Sequence, residues 1–216
     1  MAMEIRVEKP IPREKWLGAL GADSRQDIRD ALETKMQAAE DMLLQAAKPK
    51  AVYRLMEKGQ LPLPGSSIKA HLKGCPQVVL LGLTLGIEVD RLIQQTQIGD
   101  MALAVLLDSG ASLLTEKACD QMEEQIAREV AGFLTPRFSP GYGDFPLTVQ
   151  KQMVDRLDGM RRIGLYVSGG LMIPRKSVTA LMGVADRPVK GQLATCGQCV
   201  LREKCELRKR GEFCGN

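Results

Sequence analysis

The stretch QVVLLGLTLG, Gln77 to Gly86, carries the strongest fold signal in the sequence. It is a continuous apolar run that contains β-branched residues and ends in glycine, a pattern typical of a strand buried on both faces. Apolar residues then recur at helical spacing after Gly86, with Val89, Leu92 and Ile93 on one side. The sequence therefore predicts a buried strand that leads directly into a helix.

Three further segments show a helical period. Residues 24–47 predict a long helix that Ser24 can cap. Residues 100–133 predict a helix in two segments, because Ser109-Gly110 interrupts the pattern. Residues 148–160 predict a short helix with three apolar residues turned inward: Val149, Met153 and Leu157.

Strand patterns lie near both ends of the chain. The segment IRVEKPI, Ile5 to Ile11, alternates in polarity and predicts a short edge strand that is ended by prolines. The segment IGLYVSGGLMI, Ile163 to Ile173, predicts two strands around Ser168-Gly169-Gly170, and SVTALMGV, Ser177 to Val184, predicts a third. Strands and helices do not alternate regularly. We therefore expect an α+β fold with an antiparallel sheet late in the chain.

Composition narrows the classes of function. The 216 residues carry a formal net charge of +4, which does not require a nucleic-acid partner. No apolar window is long enough to span a membrane, and the segment MAMEIRVEKPIPREKW lacks the apolar core of a signal peptide. We therefore expect a cytoplasmic protein without membrane or nucleic-acid partners. His71 is the single histidine, which argues against a histidine-based hydrolase.

The segment CGQCVLREKCELRKRGEFC near the C-terminus predicts a metal site. Its cysteines have the spacing C-x2-C-x5-C-x8-C; they are Cys196, Cys199, Cys205 and Cys214. Four sulfurs can complete a tetrahedral zinc site or hold an iron–sulfur cluster, and cations between them favour thiolates and offset an anionic cluster. The alternative is a frayed tail with reduced thiols or adventitious disulfides.

Metal binding is the preferred interpretation of this tail, with an iron–sulfur cluster favoured over zinc. We therefore divide the chain into a main domain, residues 1–190, and a cysteine-rich tail, residues 191–216. Cys75 and Cys119 stand apart in the sequence, and we expect each to be a small buried apolar residue rather than a ligand.

The loop PRFSPGYGDFPLTVQ, Pro136 to Gln150, combines turn residues with an arginine, a tyrosine and an aspartate. Gly141 and Gly143 allow backbone conformations that other residues avoid, and they let a ligand approach the main chain. Arg137 can grip a carboxylate through two parallel hydrogen bonds, and Tyr142 can lie flat against a ligand ring. A zwitterionic ligand that carries a sugar and a base is one of several possibilities that would satisfy these residues.

Two acidic residues precede this loop on one face of a predicted helix. Glu116 and Asp120 lie one helical turn apart, where they can meet ligand hydroxyls or a cation. Taken from the residues alone, however, a rigid loop with Arg137 in a structural ion pair is the preferred interpretation.

Several segments resemble the activation (reactivation) domain of vitamin B12-dependent methionine synthase, which binds S-adenosylmethionine. The segment RFSPGYGDFPLTVQ, residues 137–150, resembles its Arg-x-x-x-Gly-Tyr loop, and GGLMIPRKSVTALMGV, residues 169–184, resembles its Pro-x-x-Ser-Val segment. LTEKACDQMEE, residues 114–124, resembles the helix that supplies an acidic ligand contact. The strand region HLKGCPQVVLLGLTLG, residues 71–86, and the cysteine-bearing tail also resemble the short, free-standing activation subunits. The resemblance covers residues 69–184 well and the N-terminal third more loosely.

The resemblance implies a set of contacts to S-adenosylmethionine. Arg137 corresponds to the arginine that holds the ligand carboxylate, and Tyr142 falls on the motif tyrosine. Ser139 takes the place of a residue that contacts the ligand through its backbone. Glu116 matches the acidic position on the helix, with Asp120 as the second choice. The segment after the Ser-Val strand, ADRPVKGQL, lacks the further tyrosine of the multidomain enzymes, and their early acidic contact has no clear counterpart.

The resemblance also implies a fold and a function. The fold is a twisted antiparallel sheet surrounded by helices. The function is that of a subunit that binds S-adenosylmethionine and supports, in trans, the reductive methylation of cobalamin in a methionine synthase or related corrinoid methyltransferase. A donor such as flavodoxin supplies one electron, for which a cluster on the tail offers a route. The alternative is a non-catalytic partner of a corrinoid protein whose tail holds structural zinc.

Overall fold

The computed structural model describes residues 3–7, 9–21 and 26–189. Seven strands occur in this part of the chain: β1 (Met3–Glu4), β2 (Lys50–Glu57), β3 (Gln77–Thr84), β4 (Phe133–Leu134), β5 (Tyr166–Ser168), β6 (Leu171–Ile173) and β7 (Ser177–Ala185). Five of them form an antiparallel sheet in the order β1-β2-β3-β7-β4, and β5 pairs with β6 in a separate hairpin.

Seven α-helices surround the sheet in the described part. They are α1 (Arg13–Ala19), α2 (Gln26–Ala46), α3 (Ser66–His71), α4 (Ile87–Gly99), α5 (Met101–Glu129), α6 (Gln150–Leu157) and α7 (Gly159–Ile163). The α+β expectation, with helices around a twisted antiparallel sheet, is confirmed. No helix in this part is long and apolar enough to cross a membrane.

The apolar stretch from Gln77 to Gly86 provides the central strand of the sheet, β3. Strand β3 pairs with β2 along one edge and with β7 along the other, and all of its residues after Gln77 are buried. The predicted buried strand is confirmed, and Gly86 directly precedes helix α4 as expected. The antiparallel sheet was expected late in the chain, but it also includes earlier strands. Strand β2, which the sequence analysis did not identify, and β3 both come from the first half.

The sheet has two covered faces. One face packs against α5 through an apolar cluster that includes Val79, Leu81, Ala118, Met122 and Met182. The other face packs against α3, α6, α7 and the hairpin through a cluster that includes Val78, Leu80, Ile68, Met153, Leu157 and Leu181. Helices α1, α2 and α4 surround the first half of α5 and form a further core, in which Trp16, Leu43, Val89 and Leu107 are buried. The alternation of burial along β3 and β7 therefore places a core on both sides of the sheet.

Helix α5 is continuous, so the predicted interruption at Ser109-Gly110 is wrong. Both residues face the indole of Trp16. A Cβ atom at position 110 would lie 2.4 Å from a ring carbon of Trp16, and Trp16 Nε1 donates a 2.9 Å hydrogen bond to Ser109 Oγ. The pair that suggested a break in the sequence is thus required by close packing of α1 on α5.

The remaining predicted elements have different bounds in the structure, and the position predicted for the N-terminal strand is wrong. The hairpin turn lies at Gly169 and Gly170, both at positive φ. The N-terminal edge strand occurs at Met3–Glu4 rather than Ile5–Ile11, and the helix predicted for 24–47 spans 26–46, with its cap Ser24 outside the described residues. The helix predicted for 148–160 is divided into α6 and α7 by Asp158, whose φ is 56°. The tail, residues 191–216, also lies outside the described residues.

Candidate functional site

The loop between β4 and α6 begins beside a buried histidine, His71. The side chain of His71, at the end of α3, is 1% exposed. Its Nε2 lies 2.9 Å from the Pro136 carbonyl oxygen and 3.0 Å from Thr135 Oγ1. Thr135 Oγ1 in turn accepts a 2.8 Å hydrogen bond from the Gly183 amide on β7. The single histidine therefore joins the start of the loop to α3, and Thr135 joins it to the sheet.

The far end of the loop is fixed by Asp144, whose carboxylate binds the first residues of α3. Its carboxylate accepts hydrogen bonds from the amides of Ser66 and Ser67, at 2.6 and 2.8 Å, and from the Ser66 hydroxyl at 2.7 Å. These donors, the Ser66 amide first, hold the pKa of Asp144 well below its usual range. Gly65 permits the approach, because a Cβ there would lie 2.8 Å from Asp144. Both ends of the loop are thus attached to the same short helix.

Between these ends the loop folds back on itself. Phe138 exchanges two backbone hydrogen bonds of 2.9 Å with Leu181 on β7. The Gly141 amide donates to the Phe145 carbonyl at 2.7 Å, and the Tyr142 amide donates to the Ser139 carbonyl at 3.1 Å. Gly141 has a φ of 96°, a conformation that favours glycine. The backbone is therefore held in one conformation by its own hydrogen bonds and by the sheet.

Arg137 leaves this loop toward α5, where it meets three carboxylates. Its Nη2 lies 3.0 Å from Glu116 Oε2 and 2.9 Å from Asp120 Oδ1, and its Nη1 lies 3.0 Å from Glu123 Oε2. The three acidic residues follow each other at spacings of four and three, so they share one face of the helix. The structure therefore brings together Arg137, Glu116 and Asp120, as the sequence analysis expected of neighbours in one site.

The other two predicted residues lie in the turn beyond Arg137. Ser139 and Tyr142 are joined by the backbone hydrogen bond described above. The Tyr142 side chain is 46% exposed, and its ring meets the buried ring of Phe138 edge-on at 5.8 Å. The five predicted residues thus form two groups, an ion-pair cluster on α5 and a turn that presents an aromatic ring. The Arg137 side chain joins the two groups, because it extends from the loop to the carboxylates of α5.

Glu123 is a member of this cluster that the sequence analysis missed. Its spacing of seven residues from Glu116 places it on the same helix face and was the available signal. Burial raises the pKa of Glu123, although Arg137 acts in the opposite direction. Three carboxylates against one guanidinium leave two negative charges unbalanced when all are ionised. The cluster is therefore suited to a ligand with positive charge.

Cys75 and Cys119 both lie in the protein interior. Cys75 is 3% exposed and Cys119 is fully buried, and both are free. Burial raises the pKa of the Cys119 thiol to about 12, so that it stays protonated. Both residues are small buried apolar residues, as expected. Within residues 3–7, 9–21 and 26–189, no group of His, Cys, Asp and Glu side chains is arranged to hold a metal ion. The predicted ligands Cys196, Cys199, Cys205 and Cys214 lie outside those ranges.

Comparison with known proteins identifies the fold. No protein-family model matches the sequence, and no curated protein matches it. Among solved structures, the chain is similar to the crystal structure of the MetH reactivation domain bound to AdoHcy, with a TM-score of 0.62 and 15% sequence identity. The similarity covers 98% of this chain and 86% of that one. The chain therefore has the fold of the MetH reactivation domain.

Proposed function

We propose that the chain is an S-adenosylmethionine-binding reactivation subunit, which supports in trans the reductive methylation of the cobalamin of a methionine synthase or related corrinoid methyltransferase. One observation carries the proposal. A loop with the Arg-x-x-x-Gly-Tyr pattern extends Arg137 into a carboxylate cluster with surplus negative charge, on a fold shared with a domain whose crystal structure contains AdoHcy. AdoHcy is S-adenosylmethionine without its methyl group.

The chemistry of the cluster fits this ligand. S-adenosylmethionine carries an ammonium and a sulfonium against one carboxylate, so its net charge is opposite to that of the cluster. In the proposed complex its carboxylate takes Arg137 Nη2, which now contacts Glu116 and Asp120. Those two carboxylates, exposed by 59% and 65%, are then released to accept from the ligand's ammonium or ribose hydroxyls. Ligand binding is therefore an exchange of ion-pair partners.

The turn beyond Arg137 supplies the remaining contacts in this proposal. The exposed ring of Tyr142 offers an apolar face to the adenosine part of the ligand. Ser139 contributes its backbone, as the resemblance implies. Because the turn is fixed by hydrogen bonds within the loop, these groups are in place before the ligand arrives and little entropy is lost on binding.

The ligand's role is to supply a methyl group. When bound, it would supply the methyl group for the partner's corrin and leave as S-adenosylhomocysteine, and a separate donor such as flavodoxin would supply the one electron that reduces cobalt(II). The chain itself provides no acid or base for this step. Arg137, Glu116 and Asp120 bind and orient the ligand, and the α3-anchored loop presents it to the partner. The chain is thus proposed as a component of methyltransferase activity.

The cysteine-rich tail is proposed to hold an iron–sulfur cluster on Cys196, Cys199, Cys205 and Cys214, with zinc as the alternative. Protein reconstituted anaerobically should contain iron and sulfide and absorb visible light, and Cys199→Ser should lose this binding. Cys75→Ala is the matched control, because that thiol is buried under the sheet. Stoichiometric zinc would favour a structural tail, and iron bound equally well by Cys199→Ser would overturn the ligand assignment.

A second candidate has one observation in its favour. The guanidinium of Arg137 is already paired with carboxylates and is only 18% exposed, as expected of a structural ion pair. On this alternative the chain is a non-catalytic partner of a corrinoid protein, the loop serves packing and the tail holds structural zinc. The two candidates differ in whether the chain takes part in methyl transfer.

A methyl-transfer assay separates them. A corrinoid methyltransferase that lacks its own reactivation module is oxidised to cobalt(II) and incubated with a one-electron reductant and S-adenosylmethionine labelled in its methyl group. With this chain present, label should appear on the corrin, and Arg137→Ala should abolish most of the transfer. Arg128→Ala, which removes an exposed arginine paired with Glu124 on the same helix, should leave it unchanged. Transfer that does not require the chain would support the non-catalytic alternative.

A further inference from the structure

Glu123 differs from the other two acidic residues of the cluster in its depth. Its side chain is 29% exposed, whereas those of Glu116 and Asp120 are 59% and 65% exposed. Its Oε2 lies 3.0 Å from Arg137 Nη1. Glu123 therefore holds the side chain of the residue that is proposed to bind the ligand, and it does so from a less exposed position than the other two carboxylates.

The two terminal nitrogens of Arg137 have different surroundings. Nη2 contacts the two exposed carboxylates, whereas Nη1 forms its ion pair with Glu123 in the part of the chain that the structure describes. Nη1 and Glu123 Oε1 are buried and make no hydrogen bond within the part of the chain that the structure describes. The inner contact is thus less accessible to solvent than the outer contact, which is open to exchange with solvent or ligand.

We propose that Glu123 is the positioning residue of this site: it holds Arg137 from the inner side, so that Nη2 faces an incoming amino-acid carboxylate. This inference rests on the proposed function and adds a residue to it. When the ligand displaces Glu116 and Asp120 from Nη2, the Glu123 contact remains and keeps the guanidinium group in the same position. Without Glu123, the ion-pair partners left to Arg137 among the described residues are the outer carboxylates, and these compete directly with the ligand for the same nitrogen.

The surroundings of Glu123 also give the contact a pH dependence. Burial raises the pKa of its carboxyl, and the charged groups that act on it are Arg137 from the loop and Asp120 and Glu116 from α5. Because the folded-state pKa is raised, Glu123 takes up a proton at a higher pH than an ordinary glutamate. Protonation removes the charge that holds Arg137. The position of Arg137 is therefore expected to change on mild acidification.

The first half of the test needs no ligand. The backbone amide resonance of Arg137 is followed by NMR in the full chain as the pH falls from about 8 to about 4, a range that covers the glutamate pKa values usual in proteins. In the wild type it should shift with a midpoint above that of ordinary glutamates. Glu123→Gln should remove this transition, and Glu124→Gln, one residue further along α5, should keep it. A wild-type resonance that does not titrate, or a transition that survives in Glu123→Gln, would overturn the proposal.

The second half measures binding of S-adenosylmethionine by calorimetry at neutral pH. Glu123→Ala should weaken binding about fivefold to tenfold, as is typical of coupled neighbours. Glu123→Gln, which keeps an oxygen within reach of Arg137 Nη1, should lose less, and Glu124→Gln should bind like the wild type. Equal binding by Glu123→Ala and the wild type would overturn the inference. Wild-type protein that binds no ligand would instead contradict the proposed function, and the amide titration would still decide whether Glu123 holds Arg137.

Discussion

The two ends of the loop between β4 and α6 use carboxylates in opposite ways. At one end, Asp144 alone receives hydrogen bonds from Ser66 and Ser67, and its pKa is lowered. At the other end, three carboxylates share Arg137, one of them has a raised pKa, and buried polar atoms of both Arg137 and Glu123 lack hydrogen bonds. Both carboxylate oxygens of Asp144 thus accept hydrogen bonds from the protein, whereas buried polar atoms of the Arg137 cluster do not have such partners among the described residues.

This difference separates a structural contact from a candidate binding site. A carboxylate whose acceptor positions are filled by backbone amides gains nothing from a further ligand, and it stabilises the loop. A cluster with excess negative charge and unmatched polar atoms is less stable than it would be with a cation present. We infer that the Asp144 end holds the loop in place so that the Arg137 end can exchange partners. The following predictions test that division.

The largest effect on stability is expected where the loop begins. His71→Ala removes a buried ring that contacts Phe138 at 4.8 Å and the partner of the Pro136 carbonyl. We expect the free energy of unfolding to fall by about 3 kcal/mol, measured by urea denaturation. Lys69→Ala, at an exposed position of the same helix, is the control and should change stability by less than about 0.5 kcal/mol. A loss near that of the control would show that His71 does not anchor the loop.

The next effect is expected where Asp144 meets α3. Gly65→Ala places a Cβ atom 2.8 Å from the Asp144 carbonyl at a φ of 109°. We expect a loss of about 1–3 kcal/mol, as for overpacking elsewhere. At Gly59, a Cβ would meet no atom within 4 Å, and its φ is not positive, so Gly59→Ala is the matched control. Equal stability of the two variants in thermal unfolding would contradict the close approach of the loop to α3.

The Asp144 contact should also affect how the free energy of unfolding depends on pH in acid. Because its pKa is lowered by folding, the stabilisation is fully present above the pKa of the unfolded chain, about 3.9, and is lost as the pH falls further. Asp144→Asn should therefore lower stability at neutral pH, and the difference from the wild type should shrink in strong acid. Urea midpoints measured between neutral pH and the acid limit test this. A difference that stays constant with pH would mean that the charge of Asp144 is not the cause.

The smallest effect is expected at the Arg137 end. Asp120→Asn removes one of three carboxylates that share a guanidinium, and the side chain is 65% exposed. The lost attraction to Arg137 is offset by reduced repulsion from its neighbours on α5. We expect the free energy of unfolding to change by less than about 0.5 kcal/mol. A loss as large as that of Asp144→Asn would indicate that the cluster is structural and would remove the contrast between the two ends.

The sequence predicted those elements whose signal is local. Strand β3 is an unbroken apolar run, and the β5–β6 hairpin has its turn glycines in sequence. The continuity of α5 was missed, because Gly110 is required by Trp16 of a different helix, and Ser109 and Trp16 are 93 residues apart. Local pattern identifies a glycine in a helix as a break, and only the tertiary contact explains why it is tolerated there.

The candidate site also contains residues that could be predicted from the sequence and contacts that could not. Arg137, Glu116 and Asp120 were chosen from residue chemistry and from the resemblance, and the structure brings them together. The supports of the loop were not predicted, because their partners are distant in sequence: Asp144 and Ser66 are 78 residues apart, and Thr135 and His71 are 64 apart. Glu123 was overlooked although its helical spacing was visible. Chemistry at a site can therefore be predicted from sequence sooner than the contacts that position it.

The central claim is that the Arg137 end of the loop binds S-adenosylmethionine. Calorimetric titration of the full chain, alone and with a corrinoid methyltransferase that lacks a reactivation module, tests it most directly. The wild type should bind, and Arg137→Ala should bind about tenfold more weakly or worse, a loss of at least about 1.4 kcal/mol. Arg128→Ala should bind like the wild type. Absence of binding by the wild type even with the partner, or equal binding by Arg137→Ala, would contradict the account and leave the cluster as a structural ion pair.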